Sequence, residues 1–332
     1  MQIRIPLVAI LLLILSGPLG TRGTSLASDP AVYTQRIHFS ALNKKERPVL
    51  NLAEKDFELH VNDSARPMEG FRPGLPQTDH SVPLVAWILI DFNPNINAAI
   101  VKRQASAVAD VFRLFHPESL IGVKLVSDRS ETLAPLGHDP AGLRAAFSGF
   151  GEHRFKVSAG ASESTVMVGE GGIARAIELA IVETAKAIGS SPTLASREVH
   201  RAVMVLSDGN INPAYKTRTL FENAARDEVF FYPVYLPRGM VGPWIEYYAD
   251  LGRKSGGVAA ALGAITPGLD PSAWSGTSDG PNALTFNFLQ MARDLNGKYS
   301  FVLTQNPGAE MKLSVRCRVS GVTIRLPRRS LP

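Results

Sequence analysis

The chain has 332 residues, of which 45% are hydrophobic and 20% charged, and its formal net charge at pH 7 is +5. This apolar share can build a full core, which excludes intrinsic disorder for most of the chain, and the chain has neither the Gly period of collagen nor the long heptad run of a coiled coil. The basic residues are scattered apart from Arg325, Arg328 and Arg329, which gives no ground for nucleic-acid binding, and the single Cys317 excludes an internal disulfide or a cysteine metal cluster.

Residues 1–27 have the pattern of a signal peptide. Arg4 supplies the positive start, and residues 8–15 form an apolar run that suits a signal but is shorter than the ~20 residues of a membrane span. Ser25 and Ala27 place small residues at the two positions that signal peptidase reads. We therefore expect cleavage after Ala27 and an exported protein in the periplasm, at the cell surface or secreted, without a stable membrane span. An uncleaved N-terminal anchor is the alternative.

A small β-rich segment follows in residues 28–72. Residues 32–42 alternate and carry β-branched and aromatic side chains, and residues 57–61 alternate strictly before the turn Asn62-Asp63. Both stretches predict strands. The Pro- and Gly-bearing residues 72–81 predict a linker.

Buried strands alternate with helices in residues 82–305. The predicted strands are 82–90, 120–126, a short one near Leu133, 201–206, 229–236 and 299–303. The predicted helices are 98–115, 141–147, 172–188, 217–226 and 283–295, and residues 255–282 are predicted to be mostly loop. Continuous apolar strands between helices are typical of parallel sheets that are covered on both faces. We predict a doubly wound, mainly parallel α/β sheet with helices on both faces.

The C-terminal residues 306–332 return to a β pattern. Residues 311–319 and 322–326 predict two strands, and Ser320-Gly321 between them predicts a turn. We expect a β-hairpin that packs with the N-terminal segment, so that both termini contribute to one small β-rich flank.

Two acids follow buried strands at the places where ligands bind in open parallel sheets. Asp91 ends the strand 82–90, and Asp208 ends the strand 201–206. Asn93 and Asn95 follow Asp91 at i+2 and i+4, so three side-chain oxygens can face one point, as Mg²⁺ requires. From spacing alone, however, capping of the following helices is the favoured explanation of both acids.

The order of these segments resembles a von Willebrand factor A (VWA) domain, and more narrowly the VWA-related proteins of acidobacteria. A VWA domain carries a metal-ion-dependent adhesion site built from Asp-x-Ser-x-Ser after the first strand, a Thr in a later loop, and an Asp before Gly after the fourth strand. The resemblance covers residues 31–327. Its segments are KDFEL at 55–59, LSDG at 206–209, SGG at 255–257 and ARDLNGKYS at 292–300.

The resemblance implies a metal site, but this chain departs from its pattern. Asp91 and Asp208 match the two family aspartates, whereas Asn93 and Asn95 replace the two serines and Gly171 stands at the position of the Thr. The amide end of an Asn side chain repels a cation. We therefore expect a degenerate site that binds Mg²⁺ or another divalent cation weakly or not at all.

The resemblance also implies that the protein is a non-enzymatic adhesion-type module that binds an unidentified protein partner. The expected partner-binding residues lie in loops beside the two aspartates: Glu170, which can also offer a replacement oxygen to a metal, Gly171, Asn210 and Asn212. With an eroded metal site, recognition would depend on loop shape and hydrogen bonding.

Other classes remain as alternatives. Residues 169–174 fit the G-x-G-x-x-A dinucleotide fingerprint of an oxidoreductase, but position 189 lacks the acid that the fingerprint needs about 20 residues on. Residues 276–280 fit the G-x-S-x-G elbow of a hydrolase, but their flanks predict loop instead of a strand and a helix. An exported enzyme and a purely structural envelope protein are thus the competing interpretations.

Overall fold

The computed structural model of the protein describes the chain from residue 33 to residue 327, with gaps. The described residues are 33–45, 47–76, 78–91, 98–126, 130–150, 172–209, 228–236, 245–262, 277–278, 283–305 and 311–327. The signal peptide expected at residues 1–27, most of the loop residues expected at the site and the helix expected at 217–226 lie outside them.

The described elements follow each other as strands alternating with helices between β-rich ends. The strands are β1 (Tyr33–Leu42), β2 (Phe57–Val61), β3 (Ser64–Arg66), β4 (Leu84–Asp91), β5 (Leu120–Val126), β6 (Ser130–Gly137), β7 (His200–Ser207), β8 (Val229–Tyr235), β9 (Ala260–Leu262), β10 (Thr277–Ser278), β11 (Tyr299–Gln305), β12 (Leu313–Cys317) and β13 (Thr323–Arg325). The helices are α1 (Ala98–Arg103), α2 (Ala105–Ala109), α3 (Pro140–Ser148), α4 (Gly172–Ser190), α5 (Pro192–Ala195), α6 (Ile245–Ser255) and α7 (Ala283–Asn296). Two short 3₁₀ turns lie at Glu54–Asp56 and Asp110–Leu114.

The main sheet has the strand order β10-β9-β8-β7-β4-β5-β6. All neighbouring strands pair in parallel except β6, which runs antiparallel to β5 at the edge. The chain moves outward from β4 to β5 on one side and from β7 to β8 on the other, so the winding direction changes between β4 and β7. The predicted fold class, a doubly wound, mainly parallel α/β sheet with helices on both faces and a small β-rich flank, is confirmed.

Helices cover both faces of this sheet because its central strands are apolar on both faces. All eight residues of β4 are buried. Leu84, Ile88 and Ile90 pack on the face covered by α1, α2, α3 and α7, whereas Trp87 and Leu89 pack on the face covered by α4 and α6. The strand thus sits between two apolar cores, which fixes the position of its last residue.

The β-rich flank consists of two three-stranded sheets, β11-β1-β13 and β12-β2-β3. They enclose a separate core with an aromatic cluster formed by Phe39, Phe57, Tyr299 and Phe301. The N-terminal and C-terminal strands therefore fold together on the flank.

The prediction of a C-terminal β-hairpin in residues 306–332 is wrong. β12 pairs antiparallel with β2 and β13 pairs antiparallel with β1, so the two strands belong to different sheets. The turn at Ser320-Gly321 carries the chain from one sheet to the other, and the apolar residues on both sides of it enter the same core. Sequence alternation predicts such strands but does not identify their partners.

Four further elements differ from the sequence prediction. The helix expected at 98–115 is interrupted at Gln104 and ends as the 3₁₀ turn Asp110–Leu114. The short strand expected near Leu133 is the eight-residue β6. Two short strands, β9 and β10, lie inside the expected loop 255–282. No helix in the described parts of the chain is long and apolar enough to cross a membrane.

Candidate functional site

The sheet places Asp91 and Asp208 at the same edge of two neighbouring strands. Asp91 is the last residue of β4, and Asp208 directly follows β7. The two strands pair in parallel, with Ile90 opposite Leu206, so their carboxyl ends meet at the point where the winding of the sheet changes direction.

The side chain of Ser207 joins Asp91 to the turn that follows β7. Its Oγ donates a hydrogen bond to Oδ2 of Asp91 at 2.5 Å and accepts one from the backbone N–H of Gly209 at 2.9 Å. Tyr248 on α6 lies nearby, since Ser207 and the charge of Asp91 both act on the pKa of its phenol. Ser207, Asp91 and Tyr248 thus lie in one buried polar cluster.

The carboxyl group of Asp91 is in an unfavourable environment for a charge. Asp91 and Asp208 are both 0% exposed. Burial raises the pKa of Asp91 well above its ordinary value, the hydrogen bond from Ser207 opposes this shift, and the nearby charge of Asp208 adds to it. Oδ1 of Asp91 is buried and has no hydrogen-bond partner among the described residues. The site therefore presents one free carboxylate oxygen beside a second acid.

The phenol of Tyr248 lies in the same negatively charged environment. Burial is the main cause that raises the pKa of its phenol well above the ordinary value, and the charge of Asp91 is the next. Tyr248 therefore remains protonated and keeps its O–H for hydrogen bonding.

Gly209 lets the turn after Asp208 pass close to the first residue of α6. It has φ +77°, and a Cβ at this position would lie 2.8 Å from Cβ of Ile245 and 2.9 Å from its backbone nitrogen. A larger residue would have to displace the helix that carries Tyr248. The Asp-Gly pair is therefore required by the local packing as well as by the turn.

The donors in this site suit a hard cation. Two carboxylates and a hydroxyl are oxygen ligands of the type that Mg²⁺, Mn²⁺ and Ca²⁺ prefer, and the free Oδ1 of Asp91 is an orphaned acceptor that a cation would satisfy. Among the described residues, no group of three or more His, Cys, Asp or Glu side chains could hold a metal ion. A cation at Asp91 and Asp208 would therefore need further ligands.

The remaining expected site residues lie outside the described residues. These are Asn93, Asn95, Glu170, Gly171, Asn210 and Asn212. The structure thus brings together the two expected aspartates, and it adds Ser207 and Tyr248, which the sequence analysis did not place in the site. The LSDG segment contained a signal for Ser207, whereas Tyr248 is 40 residues from the motif and has no local signal.

The two rival motifs also lie largely outside the described residues. Of the G-x-G-x-x-A stretch, Gly172, Ile173 and Ala174 are described, and they begin α4. Of the G-x-S-x-G stretch, Thr277 and Ser278 are described as the short strand β10.

Comparison with known proteins finds similarity only to solved structures, since no protein-family model and no curated protein matches the chain. An aerotolerance-related membrane protein from Bacteroides fragilis is 14% identical over 63% of this chain and 98% of its own, with a TM-score of 0.40. The BatB protein from Bacteroides thetaiotaomicron is 14% identical over 63% of this chain and 99% of its own, with a TM-score of 0.40. The manganese-loaded TRAP protein from Plasmodium vivax is 10% identical over 83% of this chain and 100% of its own, with a TM-score of 0.40.

Proposed function

We propose that the protein is an exported, non-enzymatic binding module that recognises a protein partner at the sheet edge formed by Asp91 and Asp208. The observation that carries the proposal is the pair of fully buried acids at this edge, of which Asp91 has one carboxylate oxygen without a hydrogen bond among the described residues. A buried carboxylate oxygen without a hydrogen bond is costly, so its presence at the ligand-binding edge of a parallel sheet favours a functional role over a structural one.

A weakly bound divalent cation completes this site in the proposal. Asp91 and Asp208 supply the negative charge of the site, and Asn93 and Asn95 supply amide oxygens from the loop that follows Asp91. When bound, the cation neutralises the two acids and offers a positive centre to a carboxylate of the partner. Because amide oxygens are uncharged ligands, we expect an affinity below that of a site with more carboxylates.

The partner contacts the loops beside the metal residues in this proposal. Glu170, Gly171, Asn210 and Asn212 offer one carboxylate, a backbone without a side chain, and two amides. These groups recognise a partner by hydrogen bonding and shape. The pattern of residues 1–27 supports export of the protein to the place where such a partner would be met.

The burial of Ser207 supports a binding role of the site over a catalytic one. Ser207 is the one hydroxyl that contacts Asp91 among the described residues, and it is only 2% exposed. A nucleophile must reach its substrate, and this hydroxyl is enclosed by Asp91, Gly209 and Tyr248. Its position is that of a structural support for Asp91.

Thermal unfolding with Mn²⁺ tests the cation site. The metal-free mature protein is titrated with Mn²⁺, and at ten times the dissociation constant its free energy of unfolding should rise by about 1.4 kcal/mol. Asp91→Asn should abolish this rise, whereas Asp110→Asn, at a half-exposed aspartate, should keep it. An unfolding temperature of the wild type that does not change up to millimolar Mn²⁺ contradicts the cation site.

A further inference from the structure

A groove on the β-rich flank lies outside the site formed by Asp91 and Asp208. Its volume is about 580 Å³, which is in the range of ligand-binding pockets in proteins. Its walls come from the 3₁₀ turn Glu54–Asp56, from β2, from the end of β3 with the two residues that follow it, and from Arg318. None of these residues belongs to the proposed cation site, so this surface, the flank groove, is a separate feature of the molecule.

The flank groove opens where β3 leaves β2. β2 pairs with β12 along its whole length, Phe57–Val61, but it pairs with β3 only over Leu59–Val61. Pro67 follows β3 directly and has no backbone N–H with which to continue the pairing. Among the described strands, none pairs with Phe57 and Glu58 on the side of β3, so the sheet has an opening there.

The flank groove has an apolar interior and an exposed rim. Phe57, Leu59 and Met68 line its inner part and are at most 5% exposed, whereas Ala65 and Pro67 line it as exposed residues. A groove with an exposed rim leaves much of a small molecule in water, whereas a segment of a larger partner gains further contacts beyond the groove. The shape therefore favours a peptide segment of a protein over a free small molecule.

Two cations of the flank groove have no acidic partner in the described parts of the chain. The Nε of Arg318 donates to Oε1 of Glu58 at 3.0 Å, so these two charges balance each other. Lys55 and Arg66 also line the groove and are exposed, and neither side chain forms an ion pair with a described residue. Both are thus available to a ligand on the surface.

The charge around the flank groove is positive in sum. Glu54 is the one acid besides Glu58 among the described lining residues. Arg316 lies opposite Glu58 where β12 pairs with β2, and it adds a further exposed cation beside the groove. The four cations thus outnumber the two glutamates. An excess of exposed charge of one sign attracts the opposite charge on a partner, which here is an acidic group.

We propose that the flank groove binds an acidic peptide segment of a partner protein, with Lys55 and Arg66 contacting its carboxylates. Lys55 lies in the 3₁₀ turn and Arg66 at the end of β3, so a segment that crosses the groove meets both cations. The apolar interior takes small apolar side chains of the same segment. This binding does not depend on the cation site, because Asp91 takes no part in it.

Fluorescence anisotropy of a labelled peptide tests this surface on the mature protein. The probe is a short peptide that alternates Glu with Val and Thr, and a peptide with Gln in place of each Glu is its matched control. The wild type should bind the Glu peptide more tightly than the Gln peptide. Because the contacts are between exposed charges, the preference should shrink as the salt concentration rises.

Single substitutions assign the binding to the flank groove. Lys55→Gln and Arg66→Gln should each weaken binding of the Glu peptide about threefold, and the double variant about tenfold. Lys45→Gln removes the same charge from an exposed position outside the groove and should bind as the wild type does. Asp91→Asn should also bind the peptide normally. Both groove residues are exposed, so urea unfolding of each variant should match the wild type.

Three outcomes would overturn the proposal. The first is no binding of the Glu peptide at near-millimolar protein concentration. The second is binding that the double variant retains in full or that the Gln peptide shows equally. The third is a protein that ignores the peptide but binds vesicles containing phosphatidylserine and loses this binding in the double variant, because the groove would then serve an anionic membrane surface instead of a peptide.

Discussion

At the scale of single residues, Asp91 combines burial, a neighbouring acid and an oxygen that has no hydrogen bond within the described parts of the chain. Each of these factors makes the ionised carboxylate less stable in the folded protein than in the unfolded chain. The groups that act on it among the described residues are a hydroxyl and a second acid, and neither carries a positive charge. Asp91 therefore lowers the stability of the metal-free protein, which is expected of a residue kept for binding.

The replacement Asp91→Asn should stabilise the metal-free protein at neutral pH. The folded-state pKa of Asp91 is raised above the unfolded value, so the folded protein holds its proton more tightly. The contribution of Asp91 is therefore most favourable below about pH 4 and is lost as the pH rises through the raised pKa. Removal of the charge should raise the free energy of unfolding by roughly 1–3 kcal/mol at pH 7.5, the range for an unsatisfied buried group.

Urea unfolding in the presence of EDTA measures this effect. The advantage of the variant should shrink at acid pH, where the wild type carries a proton on Asp91. Asp110→Asn removes a half-exposed carboxylate and should change the free energy of unfolding by no more than about 0.5 kcal/mol. A variant that is less stable than the wild type at pH 7.5 would show that Asp91 is a structural residue.

The sequence predicts that the two aspartates of this site lie close together, but it does not predict that Tyr248 lies beside them. Asp91 and Asp208 each follow an apolar strand, and parallel strands place their carboxyl ends at one edge, so the proximity of the acids follows from the pattern. The position of Tyr248 depends on where α6 packs, and α6 begins 37 residues after Asp208. A neighbour so distant along the chain leaves no periodicity in the sequence.

At the scale of elements, the break of the first helix at Gln104 is the clearest case of tertiary packing that overrides a local pattern. The apolar spacing predicts one helix over residues 98–115, yet α1 ends at Arg103 and α2 begins at Ala105. The side chain of Gln104 is 2% exposed, and its Oε1 accepts the backbone N–H of Leu284 at 2.9 Å. That N–H lies in the first turn of α7, where helix donors have no partner inside the helix.

The replacement Gln104→Met should destabilise the protein by about 1–2 kcal/mol. Methionine matches the length and volume of the side chain but cannot accept the hydrogen bond, which leaves the N–H of Leu284 buried and unpaired. Thermal unfolding measures the loss. Gln290→Met, at a half-buried position of α7, should change stability by less than about 0.5 kcal/mol. Equal effects of the two substitutions would show that Gln104 does not cap α7.

At the scale of the whole molecule, a polar junction joins the flank to the α/β unit. The Nζ of Lys298 is buried and lies 2.9 Å from Oδ2 of Asp294, and it also donates to Oγ of Ser40 and to the carbonyl of Gly256. Tyr232 donates to the same carboxylate at 2.7 Å. Because a buried ion pair is stable only when its hydrogen bonds are satisfied, this junction tolerates little change.

The organisation of the molecule is predictable from sequence to the level of units. Alternating buried strands and helices predict the α/β sheet, and β patterns at both ends predict the flank. The separation of β12 and β13 into two sheets and the burial of His38 and His200 are not predictable, because they arise where the flank meets the α/β unit. Dispersed histidines are expected at surfaces or strand ends, and their burial depends on the partner surface.

His200, at the start of β7, should make this junction sensitive to acid. Burial is the main cause that lowers its pKa from 6.5 to about 3, and the nearby His38 and Lys298 lower it further. The unfolded chain takes up a proton at His200 below pH 6.5, whereas the folded protein does not until about pH 3. The free energy of unfolding therefore falls as the pH drops through this window, by about 2 kcal/mol between pH 7 and pH 5. His200→Gln removes the titrating group, so urea unfolding of this variant should show a smaller loss of stability between pH 7 and pH 5 than the wild type shows. His80→Gln, at an exposed histidine, is the control and should retain the full loss. An equal loss in His200→Gln and the wild type would place the acid sensitivity elsewhere in the molecule.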